Sequence, residues 1–535
     1  MSTRAVTDTS CGVFSTISPT LAPGAIHRFV VGEDAHPRTL TSDEASAELG
    51  DPFATLLLTQ GVFPRTPEET LDKLSRAAIA GGFALPRKPA FFVLGEGSQL
   101  PVGDATARVN RGVRFVVAFG SGDEGPDVLI SAFHPEHDDI ELMAWDQRAG
   151  GFNFYKGVGA GGGADPAWVF AGNSAHAVSA ATEGKGPFES HRSGNFLMKE
   201  LRSPWVNWHT QDARIDESIF PAGDARATHP WFVNKVPQGA LACEMEVARP
   251  SIERWTAARF AAIVAADGTV QRPQRIIEQI VGTPTVNLIS SHTRNEDVAT
   301  VDEVDLPATF FVDSEALATM LGLRKPPPFG VSPGAYAASL QTFDVALDDG
   351  RGFRQAGDTH FVFVVPERAF EDQIVLREAM RIGLVTDRLA ACLLMTDFPN
   401  PLFSARRRSL LAHAPLTATV AGGQSAFSED MASAIVAAAA GAAQGSPERE
   451  FADRWHAGDG WRDAFDALLD DYYAAVTQRL AGQDGWNEVF RLAESRRNRV
   501  RALPIFESQL LFAHTNIRRE TLSMAPDGSV AAQQE

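Results

Sequence analysis

Between residues 88 and 156 the chain shortens its hydrophobic period, and this constrains the fold more than any other feature. Five segments, 88–94, 113–119, 128–133, 140–145 and 152–156, are rich in β-branched and aromatic residues and bounded by Gly, Asp and Pro. Short runs of that kind read as strands. Asp146-Gln-Arg-Ala-Gly-Gly151 between the last two has the make-up of a hairpin connector. Consecutive strands joined in this way predict an antiparallel meander, with residues 134–139 in one of its turns. Ahead of it, residues 42–81 read as helical, and Thr66-Pro-Glu-Glu69 is a good helix start.

Residues 157–240 are rich in Gly, Pro, Trp and His and show little periodicity, which in a compact protein usually marks function. Residues 250–325 alternate helix and strand, Lys325-Pro-Pro-Pro-Phe329 reads as a boundary, and 341–347 and 360–365 read as two further strands. From residue 368 the pattern is almost wholly helical: 368–395, 427–443, 447–456, 461–481 and 485–502. The expected class is α+β, a mostly antiparallel sheet core with a predominantly helical C-terminal part. The expected regions are a flexible N-terminus (1–25), a mixed α/β region with the meander and a His/Trp-rich block (26–240), a second mixed region (241–366), a helical region (367–524) and a flexible tail (525–535).

The formal charge of −19 argues against a nucleic-acid or anionic-membrane partner, because both need a basic face. Cys11, Cys243 and Cys392 are far apart and form no CxxC pair, so neither a disulfide framework nor a cysteine zinc site is expected. The first 24 residues lack the apolar core of a signal peptide, and no run of 18 apolar residues exists. The expectation is a cytoplasmic protein with no membrane insertion.

Chemistry is expected in the irregular block. Five of the thirteen histidines and four of the nine tryptophans fall between residues 131 and 210. Imidazole is the commonest metal ligand and the usual acid–base group near neutral pH. His134 and His137, with Asp138 beside them, can face one ion from a turn, and two histidines with a carboxylate suit non-haem iron or zinc. The alternative is a solvated polar turn. His176 can donate to a substrate or be a satisfied loop histidine. Trp168, Phe196, Trp205 and Trp208 can line an apolar pocket or serve simple packing.

The segment Pro187-Phe-Glu-Ser190-His191, followed by Leu197-Met198-Lys-Glu200-Leu and Pro204-Trp205-Val-Asn-Trp208-His209, resembles a group of bacterial proteins with an embedded cytochrome-c-like segment. The pieces Asp139-Ile-Glu-Leu-Met-Ala-Trp-Asp146 and Phe152-Asn-Phe-Tyr155 are similar too, and the likeness covers roughly residues 130–210. In those proteins a CxxCH haem attachment precedes the Met-Lys-Glu-Leu stretch. Here Pro187 and Ser190 stand where the two cysteines would be, so covalent haem c is excluded. The resemblance puts His191 where an axial ligand would sit, with Met198 or His209 as a second ligand. Iron or non-covalent haem is the implied cofactor, unless the segment has lost its haem and now shapes an organic-substrate pocket.

Three motif matches are set aside. Gly157-x-Gly159-x-x-Gly162 follows a hairpin strand and is followed by Asp165-Pro166, not by the long helix a dinucleotide fingerprint needs. Gly330-x-Ser332-x-Gly334 has Pro333 after the serine, which has no N–H for an oxyanion. The aspartates at 463, 466, 470 and 471, with Arg496, Arg497, Arg499 and Arg501 downstream, read as a solvated helix face before they read as a magnesium–diphosphate grip.

Three functions stay open. The first is an oxidoreductase acting on a small, largely apolar organic substrate, with iron or haem held by the block. The second is a metal-free lyase, isomerase or cyclase, with the same histidines and Glu136, Asp139 or Glu200 as acid and base. The third is a ligand-binding protein without catalysis.

Overall fold

The computed structural model describes residues 21–81, 89–95, 113–120, 125–136, 140–159, 165–189, 191–195, 220–236, 243–282, 285–289, 291, 302–348, 354–356, 363–502 and 514–533. The described residues form two compact units, one up to Arg259 and one from Phe260 onward. The class is α+β. No helix among the described residues is long and apolar enough to cross a membrane.

The first unit is built on one eight-stranded sheet. Its strands are β1 (Ile26–Arg28), β2 (Arg38–Thr39), β3 (Ala90–Gly95), β4 (Val113–Phe119), β5 (Val128–Ala132), β6 (Ile140–Asp146), β7 (Gly151–Val158) and β8 (Ala167–Asn173). In space they run β2-β1-β8-β7-β6-β5-β4-β3. The five strands read from the sequence, β3 to β7, form the expected antiparallel meander. β8 was not expected, because residues 157–240 were read as irregular. It extends the meander beside β7 and takes β1 in parallel on its other side. The whole strand but its last residue is buried, so Ala167–Asn173 reads as an apolar run without the alternation that betrays a half-buried strand.

Alternation along the meander separates two faces. One carries Phe115, Val117, Ile130, Leu142, Tyr155, Trp168 and Phe170. Helices α1 (Ser42–Glu48), α2 (Pro52–Leu56) and α3 (Pro67–Ala80) cover it, supplying Ala45, Phe53, Leu71 and Leu74. The helical stretch 42–81 is therefore broken twice. Thr41, Asp51 and Thr66 each cap a new start by accepting a backbone N–H, and Pro52 and Pro67 occupy the first helical turn, where a missing N–H costs nothing. The other face carries Arg114, Val116, Ser131, Glu141, Met143, Phe154 and Lys156, as the pairings Val116 with Ser131, Ser131 with Glu141 and Glu141 with Lys156 require.

The second unit is mainly helical. Its helices include Phe370–Arg381, Asp387–Met395, Phe427–Ala439, Pro447–Trp455, Trp461–Leu480 and Gln483–Arg501, close to the expected spans. The stretch 341–347, expected as a strand, is instead the end of helix Pro333–Thr342 followed by strand Ala346–Asp348. Residues 525–533, expected as a flexible tail, fold back, and Val530–Ala532 pairs antiparallel with Leu522–Met524. Ser332 caps helix Pro333–Thr342 by accepting the Ala335 amide. Asp470 pairs with Arg324 at 2.9 Å, and Arg496 and Arg497 are buried against backbone carbonyls, Phe310 and Glu494, so no diphosphate grip assembles from them.

Candidate functional site

His191 lies over the second face of the sheet, in a loop held at four points. Its amide donates to Pro187 O at 3.0 Å, after the 3₁₀ turn Gly186–Glu189. Ser174 Oγ donates to Gly194 O and accepts the Phe152 amide at 2.8 Å. Trp255 Nε1 donates to Ser193 O at 2.8 Å. The fourth hold is made by the ring itself, whose Nδ1 lies 3.0 Å from Asn195 O. A carbonyl only accepts, so Nδ1 carries the proton and the Nε2 lone pair is left for something else. Among the described residues Nε2 has no hydrogen-bond partner. Gly194 allows the turn: its φ is +72°, and a Cβ there would stand 2.5 Å from Ser174 O.

The electrostatics keep this ring neutral. Burial pushes the imidazole down to about 4, against the opposing pull of the Glu141 carboxylate. Glu141 is itself held down at about 2, chiefly by the Lys156 ammonium 3.0 Å away, with Arg114 adding to it. The Glu141 side chain is 41% exposed, so added salt weakens that attraction. A row of charged groups thus crosses an otherwise apolar sheet face beside a buried neutral histidine. Phe154 packs on the His191 ring with centroids 5.2 Å apart, and Phe188 packs on Phe154 at 5.2 Å.

The other expected site residues fall in different places. His176 stacks on Phe188 with planes 9° apart. Its Nδ1 accepts the Asn173 amide at 3.0 Å in a capping box, and its Nε2 is 3.2 Å from the Glu33 carboxylate. Trp168 is not a wall of this site. It is fully buried on the opposite, helix-covered face, where its Nε1 donates to Pro64 O at 3.1 Å and its ring meets Phe53. The reason is the register of β8, which turns Trp168 away from Val169 and the His191 side. His134 sits in the β5–β6 turn, accepting the Glu136 amide at 3.1 Å, and is among the groups that act on Asp224. His137, Asp138, Phe196, Met198, Glu200, Trp205, Trp208 and His209 lie outside the described residues.

Residues that the sequence reading missed include Arg114 and Lys156. The available signal was a single charged residue inside an otherwise buried apolar strand, as in Tyr155-Lys156-Gly157. Glu68 and His229 were missed as well. Glu68 opens α3, and His229 caps helix α4 (Pro230–Val233) by accepting the Trp231 amide on Nδ1 at 3.2 Å. Both approach Glu136 of the β5–β6 turn, with ligand-type atoms of all three within 4.8 Å of one another. Nothing in their spacing along the chain links them.

The fold and this site together define an α+β protein whose sheet carries a preorganised, buried, neutral histidine. No protein-family model matches the chain, and no curated protein or solved structure matches it.

Proposed function

We propose that the protein is an oxidoreductase acting on a small, largely apolar organic molecule, with iron or non-covalent haem held through His191 Nε2. One observation carries the reading: the ring donates its Nδ1 proton to a backbone carbonyl, the outer-shell contact that metal-ligating histidines almost always make. That contact fixes the tautomer and leaves a neutral Nε2 lone pair with no hydrogen-bond partner among the described residues. The chain's own residues fit the group in two further respects. The phenyl rings of Phe154 and Phe188 give the imidazole dry surroundings, and the four holds on residues 191–195 keep the ring in place without a metal. Bound iron would supply the redox chemistry that no side chain here can.

The same features weigh against His191 as a general base. A base works best with a pKa near the working pH, and this imidazole is down at about 4. It is a poor proton acceptor at neutral pH and a good neutral ligand. The proposal also takes the protein to act in the cytoplasm, where thioether attachment of haem does not normally occur and the missing cysteine pair is no loss.

The test is a visible absorption spectrum and elemental analysis of the freshly purified full chain, repeated on His191→Ala. The expected result is near-stoichiometric iron, with a Soret band if it is haem, lost in the variant. A colourless, iron-free protein that also fails to take up haem or ferrous ion would overturn the reading.

A further inference from the structure

Glu68, Glu136 and His229 come from a helix start, a β-turn and a helix cap, yet their ligand-type atoms lie within 4.8 Å of one another. We propose that these three residues bind a divalent transition-metal ion of the zinc type, at a site separate from His191.

Charge is the first argument. Other carboxylates of this region have a cationic partner: Glu69 pairs with Lys73 at 2.6 Å, Asp224 with Arg226 at 2.6 Å and Asp165 with Arg65 at 3.0 Å. Glu68 and Glu136 have no Lys or Arg partner among the described residues, although they face each other. Two carboxylates so placed repel, and a cation between them removes the repulsion. The second argument is His229. Its side chain is only 7% exposed, and its Nε2 faces the carboxylates 3.8 Å from Glu68 Oε2, with no hydrogen bond among the described residues. A buried imidazole turned toward two carboxylates is a ligand set for zinc and its neighbours, whereas magnesium and calcium prefer oxygen alone.

The backbone supporting the three ligands is already held together. The Glu68 amide donates to Pro135 O at 3.0 Å, joining α3 to the turn, and Arg226 reaches from the His229 segment to Phe133 O at 3.3 Å. Around a tetrahedral ion with bonds near 2.0 Å, neighbouring ligand atoms stand about 3.3 Å apart. From a separation within 4.8 Å, the two exposed glutamates need to close by about 1.5 Å at most. Two carboxylates neutralise the ion, and three protein ligands leave a fourth position for water, the arrangement of catalytic rather than structural zinc.

Binding also has a chemical signature. The Trp231 amide now donates to His229 Nδ1, so the neutral ring carries its proton on Nε2. Coordination through Nε2 moves that proton to Nδ1 and releases the Trp231 amide. The experiment is calorimetric titration of the full chain with Zn²⁺, comparing wild type with E68Q, E136Q, H229Q and H191Q, together with hydrogen exchange at Trp231. The expected result is one saturable equivalent, at least tenfold weaker in H229Q and E136Q and unchanged in H191Q, with faster exchange at Trp231 on binding. Glu136 is exposed, so E136Q tests the site even if H229Q is destabilised by loss of its cap. No saturable binding by wild type, or binding equal in wild type and E136Q, would overturn the proposal.

Discussion

In the metal-free protein His191 makes stability depend on pH in a window of its own. Its folded pKa is depressed to about 4 from an ordinary 6.5, so the unfolded chain binds more protons between those values. Its contribution is therefore full above pH 6.5 and lost as pH falls toward 4, a change of about 3 kcal/mol. Glu141, held at about 2, acts in the same direction at lower pH, losing its contribution between its ordinary 4.5 and 2. The two windows barely overlap, which lets one variant separate them. In urea unfolding at a series of pH values, His191→Gln is expected to lose most of the slope between pH 6.5 and 4 and keep the one below it. An unchanged upper slope would mean that the imidazole is not desolvated as described.

At the scale of elements, β8 decides what each face of the sheet can do. Trp168 belongs to the packed core with Phe53 and Tyr155, so Trp168→Ala is expected to cost about 3–5 kcal/mol in denaturant unfolding. A ligand-pocket tryptophan would instead show a small stability loss and a changed affinity. The meander was legible because its strands alternate or are bounded by turn residues, and the C-terminal helices because their period persists for many turns. β8 was not, since its seven residues lie inside the Gly-, Pro-, Trp- and His-rich stretch 157–240, whose composition outweighs one short apolar run without alternation. The site was half legible. The density of histidine and tryptophan drew attention to residues 131–210, and His191 does occupy a built position there. Its partners Arg114, Glu141 and Lys156 are brought beside it by strand register, and Glu68, Glu136 and His229 by packing of a turn against two helix starts. Contacts of both kinds are long-range and leave no local pattern.

For the whole molecule the largest electrostatic fact is the excess of 67 acidic over 48 basic residues. Self-repulsion of that size destabilises a compact state, and salt relieves it. Raising ionic strength from about 0.01 M to about 0.15 M shortens the screening length from ~30 Å to ~8 Å. The melting temperature is expected to rise over that range by differential scanning calorimetry. A fall would show that local pairs, such as Arg28 with Glu33 and Glu48, outweigh the general repulsion.

The parallel pairing of β1 with β8 bears on how the chain is made. Ile26 lies opposite Trp168, about 140 residues later. At ~5–20 residues per second, synthesis takes roughly 7–30 s to deliver the second strand after the first has been made. Through that interval β1 has no neighbour on that side, and an unpaired strand edge is a template for pairing with the wrong chain. The N-terminal unit cannot close as it emerges from the ribosome. It must wait with an open edge until β8 arrives.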